Sequence, residues 1–242
     1  MPSFEKEIII PRGIVEIIFN FSETVIYSTL NGKQYKLPRC MITGYTTSPV
    51  EIQLPPKQLF FGVRFYPSAI KQLFAAPSLE FSNLIIDLSL INHSLDSLWH
   101  QLIEHTDFYA RMAAFSKWTQ DKGVTIHPRE TLLDDFLYST DHKELSVSEL
   151  ASSVCYSPRH LSRKLFDLTG MNTEEVLLYK KFLRSCNFIH SSALSLTTIA
   201  HRSGFADQAH FTKTFKAFAA MTPREYKRQK SDLSGHIYQN VR

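Results

Sequence analysis

An internal repeat in the last hundred residues constrains the fold of this chain more than any other feature. The segment Leu145 to Leu165 reads LSVSELASSVCYSPRHLSRKL, and the segment Leu194 to Phe215 reads LSLTTIAHRSGFADQAHFTKTF. The two align with one additional residue in the second turn, so that Arg163 matches Lys213. Internal similarity of this kind is the sequence signature of a repeated supersecondary unit. Each copy therefore predicts a short helix, a tight turn and a second helix.

Local signals in both copies agree with this prediction. Ser146 and Glu149 form a capping-box pair, in which each side chain binds a free backbone N–H at the start of a helix. Ser157-Pro158 supplies an N-cap followed by a residue whose backbone is already helical. In the second copy Gly204 permits a sharp turn, and Asp207 can cap the helix that follows.

The second helix of each copy has one apolar face and one face of small, hydroxyl and cationic side chains when it is drawn at 100° per residue. The apolar stripes are Leu161, Leu165 and Leu168, then Phe211, Phe215 and Phe218. The opposite faces carry Arg159, Arg163 and Phe166, then Ala209, Lys213 and Lys216. Cations bind phosphates and guanine edges, and short side chains allow a close approach, so the pattern predicts helices that enter the major groove of DNA.

We predict eleven DNA-binding residues on these two helices and their flanks. Those of the first copy are Arg159, His160, Ser162, Arg163 and Lys164, and those of the second are Gln208, Ala209, His210, Thr212, Lys213 and Lys216. Arg159, Arg163 and Lys213 are expected to face bases or phosphates, whereas Lys164 and Lys216 mainly strengthen phosphate binding. An ordinary helical bundle with a basic surface is the alternative. The shared order, breaks and cation position of the two copies favour DNA binding.

A single helix is predicted between the two copies, from Asn172 to Ile189. Asn172 and Glu175 form a second capping-box pair at its start. Eighteen residues at about 1.5 Å each give a helix of about 27 Å. A spacer of this size could hold two recognition helices near one DNA turn, about 34 Å, apart on the same face of a duplex.

The charge distribution also differs between the two halves. Residues 1–140 hold 12 Lys and Arg against 14 Asp and Glu, a net charge of 12 − 14 = −2. Residues 141–242 hold 15 against 9, a net charge of 15 − 9 = +6. A basic half suggests a polyanionic partner, although a solvated basic face would give the same count.

The first third of the chain has the pattern of short β-strands. Residues 13–22 are β-branched and aromatic, and the runs around Asn31-Gly32 predict a hairpin. Helices follow, the first opened by Pro67 and later ones with apolar stripes that include Phe108, Met112 and Phe115. We predict an α+β fold with two domains: a small β-barrel or rolled sheet with helices over residues 1–127, then an all-α domain over residues 128–242. No strand is expected from Arg129 onward.

Several other classes of protein do not fit the sequence. No apolar run reaches the length of a membrane helix, and the first residues do not have the pattern of a signal peptide. Three separated cysteines predict neither disulfides nor zinc, so a cytoplasmic protein is expected. The pair His100 and Glu104 lacks a second pair of metal ligands, and Ser157 and His160 lack an orienting carboxylate. We therefore predict no metal, no cofactor and no enzymatic activity.

Residues from Leu132 to Arg228 resemble the AraC/XylS family of bacterial transcription regulators. The specific parts are LSVSELASSVCYSPRHLSRKL, the Thr169-Gly170 helix stop and IAHRSGFADQAHFTKTFKAFAAMTPREYKR. The resemblance implies two helix-turn-helix units that read adjacent major grooves of double-stranded DNA. That role falls on Arg159, Ser162 and Arg163 in the first unit and on Ala209, Thr212 and Lys213 in the second. Since Ala209 cannot hydrogen-bond a base, the second unit is expected to read by van der Waals contact or mainly to position the protein.

The N-terminal half is similar to the small sensor-type domain of some family members. The matching pieces are IIIPRGIVEIIFNFS, ITGYTTSPVEIQL and FFGVRFYPSAIKQLF. This resemblance implies a small-molecule effector or a homodimer, and RNA polymerase as a partner if the protein is an activator. Arg64, which shares a strand face with Gly62, is the candidate contact for an anionic effector, with a bridging contact to neighbouring structure as the alternative. Two alternatives are a domain that only docks proteins and a DNA-repair alkyl acceptor, although the latter needs a zinc-binding cysteine cluster and this half contains only Cys40.

Overall fold

The structure is a computed structural model that describes residues 5–125, 127–139 and 146–240. Nine strands are assigned within these ranges: β1 (Lys6–Ile9), β2 (Val15–Asn20), β3 (Tyr27–Leu30), β4 (Lys33–Lys36), β5 (Cys40–Thr43), β6 (Val50–Gln53), β7 (Phe60–Phe65), β8 (Ile85–Asp87) and β9 (His236–Gln239). The helices are α1 (Pro67–Phe74), α2 (Ser94–Glu104), α3 (Phe108–Asp121), α4 (Pro128–Tyr138), α5 (Val147–Ser153), α6 (Pro158–Thr169), α7 (Thr173–Ser191), α8 (Leu196–Arg202), α9 (Gln208–Ala219) and α10 (Pro223–Gln229). Two short 3-10 turns flank β8, at Ser78–Phe81 and Leu88–Leu90.

The strands form two antiparallel sheets, in the orders β4-β3-β6-β1-β9 and β7-β2-β5-β8. In β2 the alternate residues Val15, Ile17 and Phe19 are fully buried, as the β-branched and aromatic pattern requires. The predicted hairpin joins β3 to β4, with left-handed backbone at both Asn31 (φ 51°) and Gly32 (φ 74°). The α+β fold predicted from the sequence is confirmed.

The apolar stripe predicted on α3 lies on one helix but is only partly buried. Phe115 lies in the core, with its ring centroid 5.9 Å from that of Phe65 and 6.3 Å from that of Phe61. Phe108 and Met112, two turns and one turn earlier, remain 58% and 47% exposed. The Phe108 ring still contacts β7, with its centroid 6.0 Å from that of Phe61, although most of its surface faces outward.

The expectation of no strand after Arg129 was wrong, because β9 pairs antiparallel with β1. The chain returns to the first sheet after α10 and places Ile237 opposite Ile8, where Ile237 is fully buried. Its four residues, His-Ile-Tyr-Gln, are too few to show a strand period. Its partner strand lies at the other end of the sequence, so no local turn signal marks the pairing.

A row of buried and half-buried polar side chains links this C-terminal strand to both sheets. Nδ1 of His236 lies 2.6 Å from Oε1 of Glu7, and Nε2 of His236 lies 3.1 Å from a guanidinium nitrogen of Arg12. Arg12 also donates to Glu16 on β2 at 3.0 Å. Burial lowers the pKa of Arg12, and the negative charge of Glu16 opposes that shift. Pairing of this kind compensates the burial of charged groups.

The helix between the two repeats contacts the N-terminal half directly. The Tyr179 hydroxyl accepts a bond from the Gly13 N–H at 3.0 Å and donates to the Thr46 carbonyl at 2.9 Å. Gly13 has φ 65°, and a Cβ there would lie 2.7 Å from Cδ1 of Leu183. These contacts fix α7 against the sheets.

Among the described helices, none has the length and apolar character needed to cross a lipid bilayer.

Asp134 on α4 forms a contact between the two halves. Its carboxylate accepts hydrogen bonds from the backbone N–H and the hydroxyl of Ser68, at the start of α1. Burial raises the pKa of Asp134 to about 6, although the bonds from Ser68 act in the opposite direction. An unfolded Asp titrates at about 3.9. Because the native carboxyl binds its proton more tightly, the free energy of unfolding contributed by Asp134 falls as the pH rises from about 4 to about 6.

We therefore expect the wild type to gain stability between about pH 7.5 and pH 5 relative to the Asp134→Asn variant, which cannot titrate there. Urea unfolding of both proteins at the two pH values measures the difference. An identical pH dependence in wild type and variant would show that the carboxyl is already ionised at about pH 5 in the native state.

Candidate nucleic-acid interface

The first helix-turn-helix unit consists of α5 and α6, and its helix starts are those predicted. Ser146 and Glu149 form the capping box of α5, with the Glu149 N–H 3.2 Å from the Ser146 hydroxyl. Ser157 caps α6 by accepting from the His160 N–H at 3.3 Å. The helix ends at Gly170, whose φ of 76° is left-handed.

The second unit, α8 and α9, repeats this construction. Ser195 caps α8, and Asp207 caps α9 by accepting from the His210 N–H at 2.7 Å. The turn between the two helices contains Gly204, with φ 84°. The helix α10 packs behind α9, with the ring of Tyr226 5.7 Å from that of Phe215. The capping residues and the turn glycine thus occupy the places that the repeat predicts.

The two predicted apolar stripes face the core. Leu161, Leu165, Phe211 and Phe215 are fully buried, and Phe218 is half-buried. The helix α7 provides the surface for the second stripe, since the Phe182 ring lies 5.1 Å from those of both Phe215 and Phe218. The burial leaves the opposite sides of α6 and α9 facing outward.

Most of the predicted DNA-binding side chains are exposed. Those exposed are Arg159, Arg163, Gln208, Ala209, His210, Lys213 and Lys216, and those half-buried are His160, Ser162, Lys164 and Thr212. Ser157, Arg159, His160 and Arg163 line one surface cleft of about 290 Å³. The start of α6 therefore has a concave surface with two guanidinium groups, a shape and charge that suit a phosphate or a base edge.

Some of these side chains are held by neighbours. A guanidinium nitrogen of Arg163 lies 3.2 Å from Nδ1 of His160, one turn earlier. Nζ of Lys164 lies 3.3 Å from Oε1 of Glu130 on α4. The Thr212 hydroxyl donates to the Gln208 carbonyl at 2.8 Å. The Glu130 contact gives Lys164 an ion-pair partner within the protein, which the sequence did not predict.

Two further side chains lie near these helices. Phe166 is 48% exposed and lies on the cationic side of α6, as the spacing of 100° per residue predicts. Arg202, exposed at the end of α8, adds a positive charge to the second unit that the predicted set did not include. The signal that could have identified it is a cation in the residues before the turn glycine.

The helix α7 joins the two units, and its 19 residues span about 28 Å. Its capping box of Asn172 and Glu175 is present as predicted. The predicted effector contact, Arg64, lies on β7. Its Nε is 3.4 Å from Oε1 of Glu16, and its side chain is 59% exposed. Within the described residues, no cluster of three or more metal-ligating side chains occurs.

Comparison with known proteins supports this interpretation of the C-terminal half. A family model described as a helix-turn-helix domain matches residues 150–229, and a domain of unknown function matches residues 2–87. An uncharacterized HTH-type transcriptional regulator of Staphylococcus aureus is 29% identical over 111 residues, 43% of this chain and 15% of that protein. The HTH-type transcriptional activator RhaS of Pectobacterium carotovorum is 30% identical over 111 residues, 46% of this chain and 39% of that protein. The chain thus aligns with less than half the length of either relative.

Solved structures with a similar fold include ToxT of Vibrio cholerae. An apo form of a ToxT variant aligns with a TM-score of 0.54 at 14% identity, over 94% of both chains. A form of wild-type ToxT with a bound unsaturated fatty acid aligns with a TM-score of 0.53 at 12% identity, over 97% of this chain and 94% of that one. At these identities the likeness concerns the fold alone. The comparisons thus show an AraC-type helix-turn-helix domain over residues 150–229, whose matching sequences belong to proteins named HTH-type transcriptional regulators.

Proposed function

We propose that the chain is a transcription regulator that reads two adjacent major-groove segments of double-stranded DNA, one with α6 and one with α9. The observation that carries the proposal is that α6 and α9 have the same arrangement. In each helix an apolar stripe is buried in the core, and the opposite face exposes cationic side chains. Two such helices on one chain can bind one duplex at two positions, which raises the affinity above that of either helix alone.

The residues are proposed to divide into two roles. Arg163 and Arg159, which line the cleft at the start of α6, contact base edges or phosphates, and Lys213 does so on α9. Lys216 adds attraction to the phosphates. Lys164 can do the same only by exchanging its contact with Glu130 for a phosphate, so we rank its contribution below that of Lys216.

The N-terminal domain, residues 1–127, is proposed to modulate DNA binding, either by binding an effector or by forming a homodimer. A ToxT structure, of the same fold, contains an unsaturated fatty acid, which supports the effector proposal. Arg64 and Arg12 line a cleft of about 200 Å³ that also touches α4 and α7, so that an anion held there would contact both halves. A cytoplasmic location and, for an activator, a contact with RNA polymerase belong to the same proposal.

Selection of binding sites from a random duplex pool with the purified full chain tests the DNA-binding proposal. Two preferred sequence blocks are expected, with centres about 10–10.5 base pairs apart, because two major-groove segments on the same face of a duplex are one turn apart. A single block would contradict reading by both units. Recovery of no sequence preference at all would contradict sequence-specific binding.

The alternative N-terminal role, docking of proteins without a small-molecule ligand, predicts a different outcome in two measurements. A metabolite that raises the melting temperature of the full chain supports the effector proposal, since a ligand stabilises the state that it binds. Light scattering at several protein concentrations tests the homodimer. A protein that stays monomeric and responds to no metabolite supports protein docking.

A further inference from the structure

A cleft of about 640 Å³ lies between α3 and the edge of the second sheet, away from both DNA-binding units. Its floor consists of the side chains of Phe61, Val63 and Phe65, which project from one face of β7. Phe115 from α3 and Leu73 from α1 close its sides, and both are buried. The cleft thus lies between β7 and the part of α3 from Met112 to Gln120.

The chemistry of the lining restricts what the cleft can bind. None of the described residues that line it is charged. Its polar side chains lie close together on α3 and are Ser116, Thr119 and Gln120. The rest of the lining is aromatic or aliphatic, apart from Gly123. Such a site penalises an ionised ligand, because the charge would lose its hydration without gaining a partner.

We propose that this cleft binds a small uncharged molecule that is mostly apolar and presents a hydrogen-bonding group to Ser116, Thr119 or Gln120. Ligand sites in proteins are concave, measure about 300–1,000 Å³ and combine an apolar lining with a few placed polar groups. The cleft has that volume and that composition. It is separate from the cleft at Arg64, whose two guanidinium groups suit an anion.

The position of the cleft connects it to the DNA-binding half. Val124 lines the cleft, and the next residue, Thr125, is held by Gln72 of α1, whose side chain accepts from the Thr125 N–H at 2.8 Å and donates to its carbonyl. Leu73, the neighbour of Gln72, also lines the cleft. The same helix α1 binds Asp134 of α4 through Ser68. A ligand in the cleft would therefore lie next to Val124, in the segment before α4, and next to Leu73 of α1, the helix that holds this segment.

Fluorescence titration of the full chain with N-phenyl-1-naphthylamine, an uncharged aromatic probe, tests the binding site. Saturable binding of one probe per chain is expected. The Ser116→Trp variant, which fills the cleft, should weaken binding by at least about tenfold, whereas Lys117→Trp, one residue later, exposed and outside the lining, should leave it unchanged. Gln120→Trp provides a second filling variant should Ser116→Trp not fold. The related sulfonate probe, 8-anilinonaphthalene-1-sulfonate, should bind to this cleft, measured as the binding that Ser116→Trp removes, at least about tenfold more weakly because the lining offers no cation.

Three results would overturn the proposal. The first is equal binding of the neutral probe by Ser116→Trp, Gln120→Trp and Lys117→Trp. The second is equal affinity for the sulfonate probe together with loss of that binding in Ser116→Trp, which would place the anion in this cleft and not beside Arg64. The third is light scattering that shows a wild-type dimer and a monomeric Ser116→Trp, since the occupant would then be a second copy of the chain. These measurements use no DNA, so a failure here is distinct from a failure of the proposed DNA binding.

The regulatory consequence rests on the proposed function. Saturating probe is expected to change the affinity of the wild type for its selected DNA site and to leave that of Ser116→Trp unchanged, because coupling requires a ligand that favours one of two states. Bound probe without any change in DNA affinity would overturn the coupling while leaving the binding site in place.

Discussion

The Arg163→Ala variant is expected to bind its selected DNA site more weakly by about 1–3 kcal/mol, or roughly 5- to 150-fold. Arg163 is exposed on α6, lines the cleft at the start of that helix and lies within 3.2 Å of His160, which restricts the freedom of its guanidinium. A guanidinium that makes two bonds to guanine gives discrimination of this size between bases. Fluorescence anisotropy with the selected duplex and with random duplex of equal length measures the loss on each.

The matched control is Lys117→Ala, which removes one exposed positive charge from α3, on the N-terminal half. It should leave both affinities nearly unchanged. A loss for Arg163→Ala that is equal on selected and random DNA would show a phosphate anchor, and the slope of log affinity against log salt would then fall by about 1. A loss confined to the selected duplex would assign base reading to Arg163.

The helical half could be predicted from the sequence because its signals are local. Capping boxes at Ser146 and Asn172 act within three residues, and the left-handed stop at Gly170 acts within one turn. The apolar stripes repeat at helical spacing, and burial of Leu161 and Phe211 follows from that period alone. The repeat then supplied a second copy of the same arrangement.

The features that the sequence did not predict depend on contacts between distant residues. The period of α3 does not encode that Phe115 is buried against Phe65 while Phe108 and Met112 remain exposed. The contact of Lys164 with Glu130 depends on how α4 lies against α6. The strand β9 depends on an open edge at β1, formed at the other end of the chain. Each of these features is determined by the position of a neighbouring helix or strand, and a local sequence pattern carries no information about that position.

The Ile237→Ala variant tests whether that C-terminal strand is part of the folded core. Ile237 is fully buried opposite Ile8, within the same continuous core as the apolar stripes of α6 and α9. We expect its free energy of unfolding to fall by about 2–5 kcal/mol, the range for buried Ile or Leu replaced by Ala. Denaturant unfolding followed by circular dichroism measures the loss.

Leu233→Ala is the matched control, because Leu233 lies four residues earlier in the same segment and is 55% exposed. Its effect should stay within about 0.5 kcal/mol. Amide exchange distinguishes a stable β9 from a loosely attached tail, since the Ile10 N–H donates to the Gly235 carbonyl at 2.9 Å and should be protected in the wild type. Small, equal effects of Ile237→Ala and Leu233→Ala, with rapid exchange at Ile10, would mean that β9 is detached in solution. If instead Ile237→Ala is destabilising and Ile10 is protected, the sheet of the N-terminal domain is completed by residues that follow the second helix-turn-helix unit, and the two halves unfold together.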